Sequence, residues 1–575
     1  MQKKWLVKTP INRTTVEEFR SELKIDPIVA EILLQRGISN FEEAENFFVP
    51  KLEDIHDPFL MKNMETAVDR VIHALEKNER ILFFGDYDVD GTTAVSLMIS
   101  FFKQHTSNFD YYIPDRYKEG YGISKMGIDY AKETGVNLII ALDCGIKSIE
   151  LVDYAKTMGI DFIICDHHQP GEILPDCIVL DPKQSDCSYP YKELCGCGVG
   201  FKLLQGLSIK KQWELNKLYQ YLDLVAVAIG ADIVPVTGEN RTLAYHGIRL
   251  LNQEPRTSFK ALLTLAKRSF PVTLTDVVFT IAPRINAAGR LHSGRHAVDL
   301  MISEDADEIQ KMAIEINEYN ADRRDLDEQI TLEALEMIEN DSMHSHRKST
   351  VVFKDDWHKG VVGIVASRLI EHHFKPTIVL TENDGKLTGS ARTINNFDLY
   401  TALLSCEHLL EQFGGHTHAA GLTLKKENLE AFTSHFDSVV RTTIQTEDLM
   451  PEEIVDIEIS FEDIYHTNEN RMKIPKLKRI LKKMEPHGPG NMKPVFISRN
   501  VYSTDVKILK EKHLKLKMTQ PQSDVVMEGI GFNLADKVDE VAAGVPFEIL
   551  YTLESNFWNG NERLQMNIKD IRPMV

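Results

Sequence analysis

Five short apolar runs, at 81–84, 111–113, 138–142, 162–165 and 178–180, alternate with stretches of helical spacing such as 92–104 and 148–157. No other feature constrains the fold as much. Runs of this length, apolar throughout and separated by helix-length segments, read as strands buried on both faces. Their alternation with helices predicts an α/β fold with a doubly wound, mostly parallel sheet. In such sheets ligands bind in the crevice at the carboxyl ends of the strands. The acidic and histidine residues fall there repeatedly. Gly85-Asp86-Tyr87-Asp88-Val89-Asp90-Gly91 follows the first run and Asp143 closes the third. Asp166-His167-His168 follows the fourth, and Asp232 ends a further apolar segment at 223–234.

Asp86, Asp88 and Asp90 occupy alternate positions, and alternate residues on an extended chain share a face. Carboxylates packed that closely repel unless a cation neutralises them or one takes up a proton. A solvated acidic turn or a structural calcium loop are the alternatives, but an EF-hand loop follows a helix and closes with a glutamate, whereas this one follows a strand. Several strand ends delivering Asp or His to one rim form a constellation rather than one acidic turn. Carboxylate and imidazole ligands suit Mn²⁺, Mg²⁺, Fe²⁺ or Zn²⁺, and a bridging carboxylate such as Asp143 would let two ions share the site. Two ions about 4 Å apart can activate a water and steady the leaving oxygen in phosphate-ester hydrolysis. Adjacent histidines do not easily ligate one ion from a strand end, so one reads as a ligand and the other as a phosphate contact or proton donor. Ordinary hydrogen bonding in the core is the alternative for the pair.

A chain of 575 residues exceeds one hydrophobic core. We expect an N-terminal helical region at 1–75, with amphipathic stretches at 29–34 and 41–48, and a catalytic domain at 76–295. A proline-free helical connector follows at 296–345. A second, smaller α/β domain is expected at 346–449, with strands at 351–353, 377–380 and 387–391 and helices at 361–372 and 399–413. Beyond 450 the strand-like runs 454–459, 495–497, 514–517, 526–532 and 547–553 predict a small β-barrel at 450–575, with Asn559-Gly560 turning the last hairpin into 564–568.

The formal net charge of −20 at first argues against a nucleic-acid partner, but it hides an asymmetry. Residues 471–517 carry fourteen Lys/Arg against three acidic residues, a local balance of +11 that leaves the remainder near −31. That suits one basic surface for a polyanion beside an acidic, metal-binding remainder, with a ligand-free solvated face as the alternative. Aromatic interleaving there is thin (Phe496, Tyr502, Phe532, Trp558), so strand capture is expected to depend on phosphate charge and to weaken with salt. Seven sparse cysteines read as reduced and buried, and Cys195-Gly-Cys197 lacks zinc-knuckle or thioredoxin spacing. No window approaches a membrane span or a signal peptide, which points to the cytoplasm.

Asp88-Val-Asp90, Asp143, Asp166-His167-His168 and Asp232 match in order and context the motifs of the DHH phosphoesterase superfamily, whose members carry two divalent cations, usually Mn²⁺. The longer strings resemble its RecJ branch, the single-strand DNA exonucleases. They are 85–91, Arg116-Tyr-Lys-Glu-Gly-Tyr-Gly122, Pro283-Arg-Ile-Asn-Ala-Ala-Gly-Arg-Leu291, Gly360-Val-Val-Gly363, Thr388-Gly-Ser-Ala-Arg392 and Phe413-Gly-Gly-His416. The resemblance implies that Asp88, Asp90, Asp143, His167 and Asp232 are metal ligands, with His168 at the scissile phosphate and Asp86 either a ligand or a support for one. It further implies that Arg116 and Arg290 hold the 5′ end and backbone, that Ser390, Arg392 and the Gly414-Gly415-His416 turn bind substrate in a DHH-associated domain, and that the barrel is an OB fold gripping single strands. One string departs from the family pattern: Pro486-His-Gly-Pro-Gly-Asn-Met492 stands where relatives often have Pro-x-Gly-x-Gly-Asn-Pro.

The expected activity is therefore 5′-to-3′ hydrolysis of single-stranded DNA to mononucleotides with two Mn²⁺ or Mg²⁺ ions, in DNA repair or recombination. The enzyme is read as a monomer, with a single-strand-binding protein or a helicase as candidate partners and no membrane. The alternatives are the same chemistry on short oligonucleotides or small phosphate esters, and a non-catalytic DNA-binding scaffold. The second fits poorly with buried like charges that are costly without metal.

Overall fold

All five apolar runs become strands of one parallel sheet in the computed structural model, which describes residues 3–465, 474–542, 544–558 and 561–574. The strands lie in the order Phe109–Tyr112, Ile81–Gly85, Leu138–Leu142, Asp161–Cys165 and Ile178–Leu180. Ile81–Gly85 and Leu138–Leu142 are buried along their whole length, which is why they are apolar without alternation. On one face Leu82, Phe84, Ile139, Ala141 and Ile164 form a core with Ile128 and Val152, from the helices Lys125–Glu133 and Ile149–Thr157. Counted along the chain the strand order is 2-1-3-4-5, so the winding reverses between Ile81–Gly85 and Leu138–Leu142, and a doubly wound sheet opens its crevice at that reversal.

The register sharpens this. Gly85 lies opposite Leu142, Leu142 opposite Cys165, and Cys165 opposite Leu180. The next residues, Asp86, Asp143, Asp166 and Asp181, therefore stand level on one rim, each about 4.8 Å from its neighbouring strand.

Two expectations near the site are corrected. The helix expected at 92–104 runs over Val89–Phe102, so Asp90 and Gly91 are helical rather than part of an extended loop. The apolar segment at 223–234 is the helix Leu222–Ala231, and Asp232 is delivered by a helix C-terminus, not a strand end. That helix is buried at 222–230, and a helix buried all round carries no amphipathic period to distinguish it from a buried strand.

The chain divides into two compact units. One contains the parallel sheet, the N-terminal helices and the C-terminal barrel. A strand at Lys4–Val7 precedes the helices Arg13–Leu23 and Pro27–Gln35. Val16, Phe19, Val29, Ile32 and Leu33 join Phe461, Leu477, Phe496 and Tyr551 in a single core, so the barrel is filled partly by the N-terminal region. The barrel closes because Phe496–Leu509 pairs with both His513–Thr519 and Phe547–Trp558, while Met527–Gly531 and Asn561–Pro573 complete the circuit. The hairpin turn expected at Asn559-Gly560 and the side chain of Trp558 lie outside the described residues, as do Arg471 and Lys473 of the basic segment. Phe496 is fully buried in the barrel core and takes no part in any surface stacking, whereas Phe532 is exposed.

The other unit is built mainly from Pro283–Leu300 and Asp307–Glu452. Its mixed sheet runs Gln412–Gly415, Ala419–Leu424, Lys386–Arg392, Thr377–Asn383, Thr350–Phe353. The helix Ala306–Asn340 spans 35 residues, about 52 Å. Its Ile330, Ala334 and Ile338 pack on Val352, Trp357, Val365 and Leu369. The proline-free stretch from 296 is not one helix: Gly294–Ile302 ends three residues before Ala306–Asn340 begins, and Ser303 Oγ accepts from Asp305 N at 3.3 Å across the break. The helix expected at 399–413 stops at Ser405, and Gln412–Gly415 is a strand, so Gly414 and Gly415 pair with Gly421 and Ala420 rather than forming a turn.

Candidate active site

Asp88 occupies the N-cap of Val89–Phe102, its Oδ1 accepting from Gly91 N at 3.1 Å. Asp90, in the first turn, accepts from Gly196 N (2.6 Å) and Cys197 N (2.7 Å) at the start of the helix Gly196–Lys210. These backbone donors and the positive helix end hold a carboxylate that is 1% exposed. The helix can start this close to the strand only because residue 91 is glycine: a Cβ there would meet Asp86 N and O at 2.5 Å. Asp86 Oδ1 accepts from Gly122 N at 3.4 Å, while its buried Oδ2 has no hydrogen-bond donor. Asp143 leaves its strand with φ +60°, in the left-handed region that aspartate tolerates better than most residues.

His167 sits at the centre. Its Nε2 lies 3.1 Å from Asp143 Oδ1, 3.5 Å from Asp232 Oδ2 and 3.9 Å from Asp90 Oδ2. Two groups of donor atoms converge within 4.8 Å, one from Asp143, His167 and His168, the other from Asp90, His167 and Asp232. His167 is shared between them, an arrangement able to seat neighbouring cations. The buried Oδ2 of Asp232 has no hydrogen-bond donor, and the contact of Asp143 Oδ1 with His167 lacks hydrogen-bond alignment. Buried carboxylate oxygens left in this state fit a hard divalent cation.

The electrostatics say the same. Burial, then the charge of Asp88, raises Asp90 to about 7. Burial followed by Asp90 and Asp88 raises Asp232 to about 8. Asp86 and Asp143 are also pushed well above the carboxylate range, chiefly by burial and then by their acidic neighbours. Without a cation this cluster holds protons at neutral pH.

His168 is arranged differently. Asp166 Oδ1 meets its Nδ1 at 2.7 Å, and the hydroxyl of Tyr121 lies 3.1 Å from its Nε2. Burial alone would lower the imidazole, but the bond to Asp166, then the charges of Asp166, Asp232 and Asp90, lift it to about 9. Burial would likewise raise Asp166, but His168 and the donating amide of Ile146 hold it at about 2. Arg116 lies over the ring of Tyr87, 4.9 Å from its centroid, and its charge opposes the upward shift of Asp86.

Asp86, Asp88, Asp90, Asp143, His167, His168 and Asp232 thus gather in one unit, with Arg116 beside them. Arg290, Ser390, Arg392, Gly414, Gly415 and His416 belong to the other. Within it Arg290 Nη1 donates to Gly360 O (3.2 Å) and Arg392 Nη1 to Ser390 Oγ (2.6 Å). A Cβ on Gly363 would lie 2.9 Å from Arg392 Nη2, so the Gly360–Gly363 string, Ser390 and Arg392 are neighbours. His416 N donates to Ala419 O.

Some contributors escaped the sequence reading. The amides of Gly196 and Cys197 carry no side-chain signal. Tyr121 lay inside a quoted motif but received no role. Asp181 follows an apolar run as Asp143 does and could have been found that way. It is fully buried, burial pushes it to about 7, and its Oδ1 accepts from Lys183 N.

A doubly wound sheet with a carboxylate–histidine cluster at its reversal defines a DHH-type phosphoesterase fold, and comparisons with known proteins agree. Residues 80–229 match the DHH family N-terminal domain, 347–442 the DHHA1 domain and 455–570 the RecJ OB domain. The single-stranded-DNA-specific exonuclease RecJ of Bacillus subtilis is 36% identical over 571 residues, covering 99% of this chain and 70% of that protein. The Escherichia coli protein of the same name is 30% identical, covering 96% of each. The crystal structure of RecJ in complex with Mn²⁺ from Thermus thermophilus superposes with a TM-score of 0.84 at 25% identity, over 100% of this chain and 80% of that one. The chain belongs to the RecJ family of single-stranded-DNA-specific exonucleases.

Proposed function

We propose that this protein is a metal-dependent exonuclease that hydrolyses single-stranded DNA from its 5′ end to mononucleotides. The observation that carries the reading is the convergence of Asp90, Asp143, His167 and Asp232, in a chain whose relatives are named single-stranded-DNA-specific exonucleases and include one solved in complex with Mn²⁺. Asp88, Asp90, Asp143, His167 and Asp232 are the proposed ligands of two Mn²⁺ or Mg²⁺ ions, with Asp86 as a further ligand or a support for one. Bound there, the ions supply the charge that activates water and steadies the leaving oxygen.

The chain's own residues do the rest. His168, kept cationic by Asp166, is suited to hold a phosphate oxygen and to donate a proton towards the leaving group. Arg116 beside the cluster, and Arg290, Ser390, Arg392 and the 414–416 segment in the other unit, are proposed to bind the DNA end and backbone through charge and planar donor forks. We assign residues 76–295 as the catalytic domain, 346–449 as a substrate-binding domain and 450–575 as the OB-like strand track. Seven unpaired cysteines, six of them buried, favour a reducing, cytoplasmic compartment. No helix among the described residues is long and apolar enough to cross a membrane.

The test is a 5′-labelled single strand digested with Mn²⁺ and with chelator. Labelled mononucleotide is expected only with the metal, and Asp143→Ala should abolish it while strand binding persists. Progressively shortened strands that keep the 5′ label would overturn the polarity, and normal turnover by Asp143→Ala would overturn the ligand assignment.

A further inference from the structure

Asp232 is followed by five residues, 233–237, before the next helix, Gly238–Gln253. The first of them, Ile233, adopts φ +60° and is 67% exposed. A β-branched residue in the left-handed region is strained and persists only where the surroundings over-determine the backbone. From the catalytic domain, Tyr191 OH donates to Pro235 O (3.0 Å), and Asn240 Nδ2 donates to the same oxygen (3.0 Å). The third support comes from far along the chain: Val236 N donates to Pro489 O at 2.7 Å.

Pro489 lies in the string that departs from the family pattern, and that string is firmly built. Gly488 and Asn491 exchange backbone hydrogen bonds of 3.2 and 2.8 Å. Asn491 Nδ2 donates to Met484 O and Pro486 O. Arg241, 4% exposed, donates to the carbonyls of Met484, Glu485 and Pro486 and to Phe47 O. Arg36 donates to the Asn491 side chain and to Met492 O. Gly488 presses directly on the segment it supports: a Cβ there would stand 2.3 Å from Val236 Cγ2 and 3.2 Å from its Cβ. Val236 is 1% exposed and stiff at χ1, so it cannot rotate away.

We propose that the 484–492 segment leading into the barrel is a strut that positions Asp232, so that this part of the chain sets the metal affinity of the catalytic cluster in addition to any role in gripping DNA. The inference rests on the metal-site reading above. Its residues act on Asp232 through the backbone of 233–237. Supports of this kind around a ligand are worth about 10–100-fold in metal affinity.

The experiment measures Mn²⁺ binding by calorimetry, without DNA, to full-length wild-type, Gly488→Ala, Val236→Ala/Gly488→Ala, Arg241→Lys and Asp143→Ala proteins. Gly488→Ala should bind Mn²⁺ about tenfold more weakly, with turnover recovered at saturating Mn²⁺ and single-strand affinity in chelator unchanged. The double variant, which removes the methyl that clashes, should regain affinity. Arg241→Lys adds no atom and should weaken binding in the same direction, which keeps the test available if Gly488→Ala does not fold. Unchanged Mn²⁺ affinity in both Gly488→Ala and Arg241→Lys would overturn the strut. Wild-type binding that Asp143→Ala leaves intact would overturn the metal reading, and the strut with it.

Discussion

Asp166 Oδ1 stands 2.7 Å from His168 Nδ1, one of the two tautomer-defining positions of the ring, and so fixes how His168 presents its other nitrogen to the site. The pair is an ion pair between about pH 2 and about pH 9, the values to which each partner's titration is displaced. Asp166→Asn should bring His168 back towards the ordinary imidazole range near 6.5. Its stabilising share has a definite sign: a raised imidazole contributes fully below about 6.5 and is lost as pH rises through about 9. NMR titration of His168 in the two proteins reads the shift directly. The variant should lose about 10²-fold in turnover at pH 8, where the wild-type ring is still charged.

The acidic cluster responds to pH with the same sign, in a lower window. Asp90 and Asp232 are raised to about 7 and 8 in the folded chain, against about 4 when unfolded. The native state therefore holds more protons than the unfolded one across that window. Stability of the metal-free protein should fall as pH rises from about 4 to about 8. Mn²⁺ should reverse the trend, because it replaces those protons. Thermal melts at pH 5.5 and 8.5, with chelator and with Mn²⁺, check this: a metal-induced rise in Tm larger at pH 5.5 than at pH 8.5 would contradict it.

Gly91 is the steric condition for the helix that carries Asp90. Gly91→Ala puts a methyl 2.5 Å from the backbone of Asp86, and backbone cannot swing aside. Overpacking of this kind costs about 1–3 kcal/mol, readable by urea unfolding. The displaced helix start should also weaken Mn²⁺ binding, because Asp88 and Asp90 both move with it.

If the barrel grips DNA mainly through phosphates, its lysines should appear in the salt dependence. Lys510 and Lys512 stand at the exposed turn between Phe496–Leu509 and His513–Thr519. Replacing both by alanine should reduce the slope of log affinity against log salt by about 0.7 for each phosphate contact removed. An unchanged slope would place the track elsewhere.

The parallel sheet and the rim were legible because short, uniformly apolar strands with acidic ends leave a local signature. Asp143 and the 166–168 string could be placed without tertiary information. Asp232 was expected beside His167, where the structure brings it to 3.5 Å, but on the wrong kind of element, since Leu222–Ala231 is buried on every side and has no polar face to mark its period. The alternation of Asp86, Asp88 and Asp90 suggested an extended loop, whereas the N-cap bond of Asp88 turns the chain into a helix three residues after the strand ends. The amides that hold Asp90 come from residues 196 and 197, and no side-chain pattern predicts a backbone donor a hundred residues away. The sharing of one core by the N-terminal helices and the barrel was equally silent, because amphipathic helices declare that they bury a face, not against what.

The reversal of strand order has a consequence for how the protein comes into being. The residues proposed to hold the ions run from Asp88 to Asp232 and meet only when strands distant in sequence lie side by side. A nascent chain still short of residue 232 lacks one carboxylate of the cluster, and one short of 489 lacks the contact on Val236. The proposed cluster is therefore complete in its own residues well before the segment that steadies it has been made.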